Sequence, residues 1–301
     1  MHSQDRLHRF IFEHFPIRGH LVHVDAAWRA LIEHANYPAA IRETLGEAVA
    51  ASLLLAATIK FEGVLSLQLQ GDGPLYLMLV QCTSGLGVRG LARYRDGEPT
   101  EASIANLIGA GNLTVTLETD DSSQRYQGIV PITGRRLADS LQVYFENSEQ
   151  LPTRLWLHAD AQGASGMLLQ KLPAASGSVG RGAVDVVAID DAWRRVQLIA
   201  ETLTPEEMRT LSDAEILHRL FNEDDVRLFE PAPVYFRCRC SRERVTGMLQ
   251  GLGEAETRSI LAERGEVEVR CDFCNRAYVF DAVDVAQIFN AGVASESGSV
   301  H

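Results

Sequence analysis

Residues Val64 to Val80 read VLSLQLQGDGPLYLMLV, and this stretch decides the fold class. Val64 to Gln70 alternates apolar with polar side chains, the period of two that gives a strand one buried face. Gly71-Asp72-Gly73-Pro74 breaks the chain, and Leu75 to Val80 resumes as a second strand, so the pair reads as a hairpin. Immediately upstream, Pro38 to Ile59 shows helical spacing over about six turns, with Asn36 as its candidate N-cap. After Glu47 that helix is apolar on nearly every side, so it is expected at the centre of a core rather than on a surface. A buried helix feeding a hairpin, with no ladder of alternating strands and helices, indicates an α+β domain of antiparallel strands.

Further strands follow at Leu113 to Leu117 and Tyr126 to Ile132, around Asp120-Asp121-Ser122. Leu137 to Asn147 reads as helix, while Leu155 to Leu157 and Met167 to Leu172 read as extended. On the N-terminal side, Leu21 to Val24 is strand-like. Gly85-Leu-Gly87-Val-Arg-Gly90 matches a dinucleotide fingerprint by letters alone. The segment that follows, to Pro99, is too short and broken to supply the helix that receives a pyrophosphate. A glycine-rich turn between strands is expected there instead. His14, His20, His23 and His34 lie close in sequence but lack the i, i+4 spacing with a nearby acid that would mark a helical metal site. Cys82 stands alone and reads as a buried structural thiol. No glycine-flanked nucleophilic serine is present, and no enzymatic activity is expected.

The apolar run from Ala48 to Ile59 falls short of the ~20 residues that cross a membrane. The first fifteen residues mix charges among their apolar positions, unlike a signal peptide. A cytoplasmic location is therefore expected, where thiols stay reduced and paired cysteines hold metal more often than disulfides. The net charge of −12 argues against a general nucleic-acid or polyphosphate partner.

Beyond Leu172, the run Pro173 to Gly182 (PAASGSVGRG) marks a domain boundary. Next, Asp190 or Asp191 can cap a helix running to about Leu203, with Trp193, Val196, Ile199 and Leu203 on one face. Thr204-Pro205-Glu206-Glu207 and Ser212-Asp213-Ala214-Glu215 are capping boxes that open two more helices. Residues 181–230 carry twelve acids against six arginines. Some of these acids, Asp213, Glu206 and Glu207 among them, are expected to serve helix N-termini. Helices this short are marginal alone and depend on what they pack against.

Four of the five cysteines then form two tight pairs, Cys238-Arg-Cys240 and Cys271-Asp-Phe-Cys274, separated by thirty residues. Two such pairs suit one tetrahedral Zn²⁺ held by four thiolates, with no open position for water. The site is therefore structural or switchable, not hydrolytic. Arg237, Arg239, Arg242 and Arg244 flank the first pair and are expected to favour thiolates. A disulfide within either close pair would enclose one or two residues and constrain little, whereas the metal ties the pairs together across the spacer.

With these residues in view, the chain resembles the heat shock protein 33 family of redox-regulated chaperonins. The likeness covers Ile17-Arg18-Gly19, Tyr37-Pro38, Leu45-Gly46-Glu47, Lys60-Phe-Glu-Gly63 and Gln68 to Pro74. It continues through Arg125 to Pro131, Ser148-Glu-Gln150, Leu217 to Phe221, Cys238 to Arg244 and Cys271 to Cys274. The resemblance implies an ATP-independent holdase, inactive while reduced and bound to one Zn²⁺ through Cys238, Cys240, Cys271 and Cys274. Oxidation would form Cys238–Cys240 and Cys271–Cys274 disulfides, release the zinc and unfold the linker. The active form would be a homodimer that binds unfolding client proteins under oxidative and heat stress. Client contact is assigned, as a hypothesis, to Trp193, Ile199, Leu203 and Leu220 together with strands of the first domain. The expected organisation is an N-terminal α+β chaperone domain (1–178), a metastable helical linker (179–234), a Cys₄ redox-switch domain (235–290) and a disordered tail (291–301). Three other readings are a purely structural zinc site, a nucleic-acid-binding zinc module, and a thiol oxidoreductase acting through Cys271 and Cys274.

Overall fold

The computed structural model describes residues 5–95, 103–120, 125–173 and 186–293. From 174 to 182 the expected boundary run lies outside the described residues, as does the expected tail from 294 onward. Two compact units divide between Arg237 and Cys238.

The first unit carries β1 (Arg6–Phe12), β2 (Ile17–Val24), α1 (Ala26–Ile32), α2 (Ala39–Thr58), β3 (Gly63–Gly71), β4 (Leu75–Thr83) and β5 (Gly87–Tyr94). After these come α3 (Ile104–Ile108), β6 (Gly111–Thr119), β7 (Arg125–Pro131), α4 (Leu137–Tyr144) with a π-helical turn at Phe145–Glu149, β8 (Thr153–Ala159) and β9 (Ala164–Lys171). The helices α5 (Val186–Ala200), α6 (Pro205–Thr210) and α7 (Asp213–Phe221) follow, then the short strands β10 (Val226–Leu228), β11 (Ala232–Pro233) and β12 (Tyr235–Phe236). One sheet has the order β10-β1-β2-β9-β8, with β11 also on β1; the other has the order β12-β5-β4-β3-β6-β7. All pairings are antiparallel except β12 with β5. The α+β class read from the hairpin is the architecture found.

Helix α2 packs against both sheets and is buried on every side along its second half. Within that half, Ser52 Oγ donates to the Ala48 carbonyl at 2.7 Å. At Gly46 a Cβ would lie 2.4 Å from the Ala159 methyl, so glycine is what lets the helix approach β8. The hairpin alternates as its sequence demands, with Leu65, Leu67 and Leu69 buried from β3 and Met78, Val80 and Cys82 from β4.

Three local expectations are corrected. Pro38, not Asn36, occupies the N-cap of α2, because its fixed φ of −53° with ψ of 150° ends the extended approach there. The run Gly85 to Gly90 is a turn only to Leu86; Gly87 and Gly90 are strand residues of β5, which pairs along β4 from Cys82 to Leu75. Helix α5 is already formed at Val186, ahead of Asp190 and Asp191, and ends at Ala200. The two capping boxes stand as read: Thr204 and Ser212 each accept from the N3 backbone while Glu207 and Glu215 reach back.

Because antiparallel neighbours share a face, the sheet of β1, β2 and β9 has two distinct sides. One side meets α2. The other presents Phe10, Phe12, Ile17, Leu21, Met167 and Leu169 to α5, α6 and α7, forming a second core. The connector helices are thus a lid of the first unit's own chain over an apolar sheet face.

The second unit is small: α8 (Arg242–Leu252), α9 (Glu254–Arg264), β13 (Val267–Arg270), β14 (Ala277–Phe280) and α10 (Ala282–Val293). β13 and β14 form a hairpin, and Val245, Leu249, Val267, Phe280 and Val285 make a core of modest size. Helix α10 continues three residues into the span read as tail.

Candidate metal centre

The four paired cysteines meet in the second unit. Cys238 and Cys240 lie on an extended segment ahead of α8, whose N-cap Ser241 accepts from the Arg244 amide. Cys271 and Cys274 bracket the turn between β13 and β14. That turn is set by the Asn275 amide donating to the Cys271 carbonyl at 2.8 Å and the Cys271 amide donating to the Arg276 carbonyl at 3.0 Å. Asn275 adopts a left-handed φ of 53°, a conformation asparagine tolerates.

All four Sγ atoms lie within 4.8 Å of one another. The nearest contacts run between the pairs, Cys238 to Cys271 at 3.6 Å and Cys240 to Cys274 at 3.4 Å. A tetrahedron with metal–sulfur bonds of ~2.3 Å has edges of about 3.8 Å, so the four sulfurs are placed to share one ion. Four soft thiolates and no oxygen donor favour zinc among the common divalent ions. The donor set therefore fits a Zn²⁺ site of the closed, structural kind.

Burial would hold the Cys240 thiol up, but the Tyr278 hydroxyl and the neighbouring sulfurs outweigh it and bring it down to about 7. Cys238 and Cys274 are pushed upward, chiefly by burial. Tyr278 Oη is buried without a partner of full hydrogen-bond geometry, and its neighbours are Cys240 and Arg276. Two of the four arginines flanking the first pair are engaged elsewhere: Arg242 pairs with Asp284 at 2.8 Å and lies 4.2 Å over the Phe280 ring, and Arg244 donates to the Arg239 carbonyl. Arg276 is the cation whose charge is felt by Cys240 and Cys274. Tyr278 and Arg276 were not among the candidate residues, since their spacing from Cys274 does not mark them.

Of the residues assigned to client contact, Trp193, Leu203 and Leu220 are buried in the second core of the first unit, and Ile199 is half-buried at its margin. Phe221 joins them, its ring 5.1 Å from Phe12 in an edge contact. The connector is fixed by charge as well. Asp213, 1% exposed, receives a bond from Arg6 Nε at 3.2 Å, pairs with His8 Nδ1, and has His23 Nε2 at 2.7 Å from its other oxygen. Arg6 and His23 are directly opposed on β1 and β2. Burial raises the Asp213 carboxyl, but His23, His8 and Arg6 more than offset it and hold it below the usual carboxylate range. So Asp213, in the first turn of α7 as expected, is also a buried anchor. His23 belongs to that anchor, His14 pairs with Asp225 at 2.7 Å, and His20 is buried. Burial pushes the Cys82 thiol up to about 12, which makes it unreactive.

A family model described as Hsp33 protein matches residues 5–281. Relatives named 33 kDa chaperonin share 48% identity over 293 residues in Nitrosococcus oceani (97% of each chain) and 42% over 301 residues in Pseudomonas aeruginosa (99% of each). The crystal structure of a 33 kDa chaperonin, a heat shock protein 33 homologue from Thermotoga maritima, superposes with a TM-score of 0.78 at 21% identity. It covers 96% of this chain and 99% of its own.

Proposed function

Since this chain belongs to the heat shock protein 33 family, we propose that it is a molecular chaperone of the holdase type, switched by oxidation of its four paired cysteines. The observation that carries the reading is the meeting of four thiols from segments thirty residues apart, in a unit whose apolar core is small. When bound, zinc supplies a crosslink between Cys238/Cys240 and Cys271/Cys274 and, with no open position, no hydrolytic chemistry. Oxidation by peroxide takes one electron pair from each of two dithiols. The products are Cys238–Cys240 and Cys271–Cys274 disulfides and four waters for two peroxides consumed. Disulfide sulfurs are poor ligands, and each new loop is local, so the tie across the spacer is lost.

Upstream, β12 and Cys238 are separated only by Arg237. The linker helices cover Phe10, Phe12, Ile17 and Leu21 by apolar packing, joined by the Asp213 anchor and the Lys171–Asp190 ion pair. Their release exposes a continuous apolar sheet face, the kind of surface that retains unfolding polypeptide without nucleotide. Trp193, Ile199, Leu203 and Leu220 are freed in the same event. The active protein is a homodimer in the cytoplasm, with unfolding proteins rather than nucleic acid as partners. The linker is functionally separate from the first domain even though it packs within the first unit. No helix among the described residues is long and apolar enough to cross a membrane.

The test is to treat zinc-loaded protein with peroxide or hypochlorite at raised temperature, and to follow zinc release and aggregation of a thermally unfolding client together. Zinc loss should be accompanied by suppressed light scattering. Zinc loss without holding would leave the cysteines with a structural role only.

A further inference from the structure

On the α2 side of the β1–β2 pair, the first unit contains an open cleft of about 570 Å³, continuous with a second of about 640 Å³ through Arg9, Arg18, Ala57 and Ala232. Ala57 and Ile11 give it apolar walls, and the strap Phe229 to Ala232 closes one side. Register places Arg9 opposite His20 and Arg18 opposite Ile11, so both guanidiniums and the imidazole share this face. Lys60 enters from the end of α2.

These cations are uncompensated, in a chain whose net charge is −12. Arg18 is half-buried and held only by neutral acceptors: its Nε and Nη2 donate to Gln170 Oε1 at 2.9 and 2.6 Å, and Nη2 donates to the Thr58 carbonyl at 3.1 Å. The Arg9 and Lys60 side chains have no ion-pair or hydrogen-bond partner among the described residues. Glu230 lines the cleft, yet it pairs with none of the three. His20 is 2% exposed, and its Nδ1 has no hydrogen-bond partner. Burial, then Arg18 and Arg9, push that imidazole down to about 3, and burial with Arg9 lowers Arg18. Like charges gathered without a counter-charge, around a half-apolar cavity of ligand size, destabilise the free protein unless an anion occupies the site.

We infer that this cleft binds a small amphiphilic anion, its carboxylate or phosphate headgroup held by Arg9, Arg18 and Lys60 and its apolar body against Ile11, Ala57 and Phe229. A molecule of this class satisfies the charge that the chain leaves unpaired, and its volume is that of an ordinary ligand pocket. No cysteine lines the cleft, its strap Phe229 to Ala232 lies in the linker span, and its test on the reduced chain does not depend on chaperone activity.

Calorimetric titration of the full-length, reduced, zinc-loaded chain with octanoate and with octyl phosphate tests it, with octanol and inorganic phosphate as controls. Saturable one-to-one binding of at least one amphiphile is expected, and the preferred headgroup then identifies a fatty-acid-like or a phosphate-ester ligand. Octanol and inorganic phosphate should each bind at least about tenfold more weakly, because each keeps half of the recognition. Arg9→Ala and Lys60→Ala, both at exposed side chains, should weaken binding about tenfold each with unchanged melting, and Arg9→Lys should retain most of it. The assignment is overturned if neither amphiphile saturates through the millimolar range. It is equally overturned if octanol binds as tightly as octanoate, if inorganic phosphate matches octyl phosphate, or if both alanine variants bind as the parent does.

Discussion

The two faces of the sheet formed by β1, β2 and β9 are covered in opposite ways. On one face lies α2, a single twenty-residue helix buried by both sheets and without a charge in its second half. On the other lie three helices of fifteen, six and nine residues, rich in acid on the outside, each starting and stopping within a few residues of the next. The strands are the same; only the covers differ. A long helix enclosed by two sheets cannot leave without dissolving the core, whereas short helices on an outer face can come away and leave the sheet intact. Removability is thus a property of the cover, and the apolar strand residues beneath serve either as core or as docking surface.

The contrast is broken most severely by charge. Leu53→Asp in α2 is expected to abolish cooperative folding of the first unit, on the order of 5 kcal/mol or more, seen as loss of the thermal transition. Leu220→Asp in α7 should keep that transition while hydrogen exchange in 186–221 accelerates, and the reduced protein should then hold a denatured client without oxidation. If both variants unfold alike, the two covers are equivalent and the contrast fails.

Smaller changes sharpen it. Asp213→Ala removes the acid anchoring α7 to Arg6, His8 and His23, and should weaken linker docking by about 2–3 kcal/mol. That is less than a fully buried pair because Arg6 remains 29% exposed. Exchange at α7 amides reports it directly. The same carboxylate gives docking an acid limb. Because the folded Asp213 is held below its ordinary value of 3.8, its contribution is complete above that pH and is lost as pH falls from there through the folded value. Asp213→Asn should flatten this limb of linker exchange below pH 3.8; an unchanged limb would assign it to other carboxylates. Smallest is Ser212→Ala, which removes the N-cap of α7 and should cost about 1 kcal/mol of linker protection with no change in the transition of the α2 core.

Local signals carried much of this architecture. The hairpin followed from period-two alternation around Gly71 to Pro74, α2 from its apolar run, α6 and α7 from their capping boxes, and the cysteine cluster from paired spacing. What escaped was long-range or context-bound. Asp213 read only as a first-turn acid of α7, because Arg6, His8 and His23 lie some 190–207 residues away in sequence. The strand at Gly87 to Tyr94 was obscured by glycines that read as turn, yet β4 supplies a partner along its whole length. Arg276 and Tyr278 drew no notice because nothing in spacing shows which side chains a hairpin folds back over a cluster of sulfurs.

The thirty residues between the cysteine pairs have a meaning in polymer statistics. Two ligands are preset by a tight turn, in which Asn275 and Cys271 already share a backbone bond; the other two must be caught by closing a loop. The entropy of that closure grows only with the logarithm of loop length, about 0.6 kcal/mol per doubling. Insertions at the half-buried junction Gly253, where a Cβ would meet nothing within 4 Å, would therefore leave the sulfur cluster almost as easy to assemble. The length of the spacer is a nearly free parameter, and the geometry of the two turns at its ends is not.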